Sequence, residues 1–129
     1  MIVKLLRTVW PAIIWSAIIF LLLSIPGSDL PEGPSIPHVD KIVHVILFGV
    51  HVYLWNLYLA NRSKKGNKLW IFFLIFLLTC VYGIAMEYYQ KYFVPNRGFE
   101  TDDMIADAAG AFVGWLASAW KLNAKAKPL

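Results

Sequence analysis

The stretch from Leu69 to Met86 holds eighteen consecutive residues without a charged side chain. At helical rise it is about 27 Å long, close to the hydrocarbon thickness of a bilayer, so it predicts a membrane span. Thr8 to Ile25 is a second uncharged run, with Pro11 tolerable in a first helical turn and Pro26-Gly27 as its stop. Met104 to Trp120 carries one charge, Asp107, and its Gly110 and Gly114 have the GxxxG spacing that lets a neighbouring helix approach. Between these lies Val39 to Ala60, apolar overall but interrupted by Asp40, Lys41, His44, His51 and Asn56. With 59% hydrophobic and 16% charged residues, the chain has more apolar surface than a soluble core of 129 residues can hide. The expected fold is all-α, a four-helix transmembrane bundle forming one domain over residues 1–129, with spans at 8–25, 39–60, 69–92 and 102–120.

The charges order this bundle. Lys4, Arg7, Arg62, Lys64, Lys65, Lys68, Lys121, Lys125 and Lys127 fall on the side of the termini and the middle loop. The positive-inside rule makes that side cytoplasmic, N-in and C-in, in an inner membrane. The acidic residues Asp29, Glu32, Asp40, Glu87, Glu100, Asp102, Asp103 and Asp107 all fall on the other side, joined only by Lys41, Lys91 and Arg97. A net charge of +4 divided among short segments does not make a nucleic-acid stripe. Lys4 and Arg7 before an apolar run also resemble a signal peptide, but the run is long and lacks a following A-x-A-like site, so a retained anchor is expected. Cys80, the single cysteine, permits neither an intrachain disulfide nor a thiolate cluster and reads as a packing residue.

This topology brings ionisable groups from three helix ends to one depth. Asp40, His44 and His51 share a face by spacing, as do Gly83, Glu87 and Gln90, and then Asp103, Asp107, Gly110 and Gly114. A charge facing lipid costs several kcal/mol, so these stripes should face one another and form a polar pocket open to the outside. Asp102 has a plain role as a complement to a helix N-terminus. Arg97 and Lys41 could form simple interfacial ion pairs, and His51 reads better as a satisfied packing histidine than as a functional one. The stretch Pro26 to Pro37, with His38 after it, reads as an exposed loop.

The pattern Asp40-Lys41-x-x-His44, then Glu87-x-x-Gln90, then Pro95-x-Arg97 and Asp103-x-x-x-Asp107-x-x-Gly110 resembles the VanZ-like family of bacterial membrane proteins over nearly the whole chain. The last motif usually has asparagine where this chain has Asp107. The resemblance implies a membrane bundle and, for relatives of the founding member, a link to reduced susceptibility to teicoplanin-type glycopeptides; it names no reaction.

Three readings follow. In the first, an outward-facing site binds or acts on a cell-envelope substrate such as a lipid-linked or cell-wall precursor. His44, Glu87 and Asp107 are then the candidate acid/base groups, and Asp40, Lys41, Gln90, Arg97 and Asp103 the binding groups, with Lys41 and Arg97 as an anion clamp. No nucleophile is indicated. The second reading is a non-enzymatic scaffold or helper subunit, with Gly110 and Gly114 either packing against a second copy or simply closing the bundle. The third is a proton-coupled transporter relayed through His51 and Asp107, for which four helices are few. Asp40, His44, Glu87 and Asp103 have the donor types of a zinc or manganese site, but no local H-E-x-x-H signature accompanies them, so no metal ligand is assigned and no cofactor is named. The expected partner is membrane lipid.

Overall fold

The computed structural model describes residues 1–32, 36–63 and 66–123. Lys64, Lys65, Lys125 and Lys127 of the basic side, and residues 33–35 of the Pro26–Pro37 stretch, lie outside the described residues. Among the described residues the chain is helical throughout, without strands: α1 (Ile2–Leu6), α2 (Trp10–Leu23), α3 (Val39–Arg62), α4 (Leu69–Phe93) and α5 (Thr101–Asn123), with a 3-10 turn at Gly27–Asp29.

The first apolar run starts later than expected and follows a separate short helix, α1. Pro11 lies in the first turn of α2 and cannot donate to a carbonyl of the preceding turn, so the helix restarts at Trp10. α4 extends past its uncharged run and ends at Phe93 because Val94, held extended before Pro95, cannot continue a helix.

The helices alternate in direction. Ser16 of α2 meets Tyr82 of α4 while Leu23 meets Gln90, so these two run parallel. α3 and α5 are also parallel to each other: Val45 lies against Gly110 and Gly49 against Gly114. The α2–α3 and α4–α5 connections therefore share one end, here the acidic end, while α1, the α3–α4 connection and the end of α5 share the other, the basic end.

Among the described residues α3 and α5 form the most extensive helix pairing, and its glycines explain why. A Cβ at Gly110 would come within 2.2 Å of the Val45 carbonyl oxygen, and one at Gly114 within 2.4 Å of the Gly49 oxygen. Any side chain there would force the helices apart. Gly110 and Gly114 thus close the bundle within one chain.

The distribution of polarity is inverted relative to a soluble domain. His44, His51, Asn56, Thr79, Glu87, Gln90, Asp103, Asp107 and Ser118 are buried, while Trp70, Leu78, Val81, Ile105, Val113 and Trp120 are each more than half exposed. Water would reward the opposite arrangement, whereas lipid accepts this one. α3 and α4 are long and apolar enough to cross a membrane. α2, at fourteen residues, is about 21 Å long.

Candidate functional site at the acidic end

The acidic end is organised by α3 and α5 starting side by side. His44, one turn into α3, has its Nδ1 2.7 Å from Oδ1 of Asp107. Its Nε2 faces Asp103 Oδ2 at 3.6 Å, beyond hydrogen-bond length. Asp107 thus fixes the ring and leaves Nε2 as the uncommitted nitrogen beside a second carboxylate. The ring also lies parallel to Phe48 one turn further along, with centroids 6.4 Å apart.

Asp103 in turn is held by Lys41, whose ammonium also reaches Asp40 at 2.8 Å and Glu100 at 2.7 Å. Oxygens of Asp40, Glu100 and Asp103 lie within 4.8 Å of one another, and the cation among them is the lysine ammonium. Asp40 and Glu100 are exposed, Lys41 is half-buried, and Asp103, His44 and Asp107 are buried. A chain of contacts therefore runs from the surface through Lys41 and Asp103 to His44 and Asp107.

Glu87 comes to the same depth from α4 and is only 1% exposed. Its Oε2 accepts the backbone N–H of Glu100, tying the end of α4 to the turn before α5. Its Oε1, like Oδ2 of Asp107, finds no hydrogen-bond partner among the described residues. Gly83 lets Asp107 approach α4: a Cβ there would be 2.8 Å from that same Oδ2. Leaving such an acceptor buried and unsatisfied costs about 1–3 kcal/mol, so each of these two oxygens can take a donor.

Gln90 and Arg97 serve a different end. Gln90 Nε2 donates to the Leu23 carbonyl and Arg97 Nε to the Ile25 carbonyl, satisfying backbone acceptors left open where α2 stops. Gly27 N–H donates to Pro95 O beside them. Of the two residues expected as an anion clamp, Lys41 is engaged by carboxylates and Arg97 by the Ile25 carbonyl; among the described residues Arg97 forms no ion pair.

His51, two turns along α3 from His44, belongs to a separate network. Its Nε2 is 2.9 Å from Ser16 Oγ and its Nδ1 3.0 Å from Thr79 Oγ1. Ser16 Oγ already donates to Ala12 O and accepts from Trp55 Nε1, so its remaining lone pair accepts the proton on His51 Nε2. Thr79 then donates to Nδ1, and every group is matched. Ser16, Thr79 and Trp55 escape sequence reasoning because each lies within an apolar run; Ser16, the single hydroxyl of α2, opposite a lone His51 is the faint signal. Glu100 is similarly missed as a partner of Lys41, because it lies before α5 where no helical period places it.

The expected open polar pocket takes another form. The residues assigned to it pack largely against one another, whereas a cavity of about 610 Å³ lies beside His51 with largely apolar walls including Phe20, Trp55, Leu78 and Tyr82.

An inside-out helical bundle with a buried histidine held between carboxylates defines a class: a helical protein consistent with residence in a membrane. The sequence model of the VanZ/LLP1 family matches residues 3–122, and the chain belongs to that family. No curated protein and no solved structure matches it.

Proposed function

We propose that this VanZ-family chain is an integral protein of the bacterial cytoplasmic membrane, a single domain crossing four times through α2, α3, α4 and α5 with both termini inside. The alternating helix directions and the separation of charge between the two ends support this reading. The acidic end then faces outward, and its network binds or acts on a cell-envelope substrate, a lipid-linked or cell-wall precursor carrying an anionic group. Through that substrate it influences susceptibility to teicoplanin-type glycopeptides.

The observation that carries the reading is the placement of His44. Asp107 orients the ring, Nε2 is uncommitted, and Lys41 stands between it and the surface. A hydrogen-bond acceptor on the incoming substrate competes with Asp103, Asp40 and Glu100 for the Lys41 ammonium and draws this flexible side chain outward. That movement exposes Asp103 and His44 Nε2, which can transfer a proton or donate a hydrogen bond, with the unpartnered oxygens of Glu87 and Asp107 as further acceptors. A scaffold would need the packing but not the uncommitted nitrogen or the unpartnered oxygens.

The test is susceptibility to teicoplanin-type glycopeptides in a host expressing the protein, with membrane abundance measured in parallel. His44→Gln, Glu87→Gln and Lys41→Gln are expected to abolish the effect of the wild-type protein at unchanged abundance. Variants that reach the membrane and retain the full effect sink the site reading; variants that disappear from the membrane favour the scaffold.

A further inference from the structure

The basic end contains a second cavity, of about 250 Å³, which the outward-facing site does not use. It is bounded by Arg7 from the turn after α1, Leu57, Ala60 and Asn61 from the last turns of α3, Lys68 at the start of α4, and Leu122 from the end of α5. Lys68 is only 8% exposed. Its ammonium donates to the Ala60 carbonyl at 2.8 Å, a single neutral acceptor for three N–H groups.

Neither Lys68 nor Arg7 pairs with a carboxylate among the described residues. The reason lies in the chain itself: all eight acidic residues, from Asp29 to Asp107, stand in the segments that make the acidic end. A buried ammonium near a guanidinium with no counter-charge is costly, and among the described residues no anion relieves it. An external anion can supply the missing charge. Asn61 adds a neutral donor: its Nδ2 uses one N–H on the Leu57 carbonyl, leaving the other.

Size and position narrow the class of ligand. At about 30 Å³ per liquid water the cavity has room for about eight waters, sufficient for a tetrahedral oxyanion and the groups flanking it. Trp10, Trp70 and Trp120 stand largely exposed at the same end, the arrangement of an aromatic belt at headgroup level.

We propose that this cavity binds a phosphate group at the membrane surface, with Lys68 and Arg7 supplying charge and Asn61 a neutral hydrogen bond. The phosphate can be that of an anionic phospholipid headgroup or free phosphate, and one experiment separates the two. The full-length protein in neutral detergent is titrated with phosphatidylglycerol, phosphatidylcholine or inorganic phosphate, followed by native mass spectrometry and thermal melting.

Phosphatidylglycerol is expected to remain bound and raise the melting temperature, with phosphatidylcholine binding more weakly. Arg7→Gln, at an exposed position, should fold normally and weaken phosphatidylglycerol binding about fivefold, as expected for one basic residue near an anionic surface. Lys68→Met should weaken it further. Lys4→Gln removes a like charge from α1 outside the cavity and should change little. Stabilisation by inorganic phosphate alone, with no gain from the lipid, assigns the site to free phosphate. Equal binding of the two lipids without a phosphate effect, wild-type affinity in Arg7→Gln, or an equal loss in Lys4→Gln overturns the proposal.

Discussion

Two histidines on α3, seven positions apart, are both buried and both bonded through Nδ1, yet they occupy opposite kinds of site. His51 sits among hydroxyls and an indole, and each donor there has an acceptor. His44 sits among carboxylates, with one ring nitrogen uncommitted and acceptors nearby that have no partner among the described residues. A closed network holds helices together and has no further capacity. An open one pays in stability for its readiness to meet another group, which is why the functional reading rests on His44.

The largest effect should come from breaking the open site. His44→Leu leaves Asp107 buried without its partner and should cost about 3–5 kcal/mol. The double variant His44→Leu/Asp107→Leu should recover much of that loss, because one buried charge leaves with the ring. Thermal stability of the purified protein in detergent measures both; a single variant that loses no more than His51→Leu would place His44 in the same class as His51.

His51→Leu should cost less, about 1–3 kcal/mol, since it strands neutral hydroxyls and not charges. Its effect on glycopeptide susceptibility should follow membrane abundance alone. Loss of that phenotype at full abundance would make the closed network functional and remove the contrast.

The smallest change is expected from Asp107→Asn. The amide oxygen still accepts from His44 Nδ1, so stability should shift by about 1 kcal/mol or less. Pairing it with His44→Gln sharpens the comparison: a phenotype lost in the second variant but kept in the first assigns the chemistry to the imidazole and orientation to position 107.

What could be read from the sequence divides along the same line. Uncharged runs place α4 and α2 because hydropathy is a local property, and α3 is recoverable despite its charges because its neighbours span. Helical spacing brings His44, Glu87, Asp103 and Asp107 into one region, since the three stripes have nowhere else to face. Spacing does not reveal the bond partners. Ser16 and Thr79 lie 35 and 28 residues from His51. Gln90 and Arg97 look like members of the charged cluster, but they are drawn to carbonyls exposed by the end of α2, and only the packed backbone shows where those carbonyls are.

The parallel seam between α3 and α5 also has a consequence for synthesis. Lys41 and His44 are made 62 and 63 residues before Asp103 and Asp107, with all of α4 in between. While the chain grows, α3 holds its lysine and histidine without their carboxylates, and the glycine groove that will receive its backbone does not yet exist. The site can therefore form only once the start of α5 has been delivered.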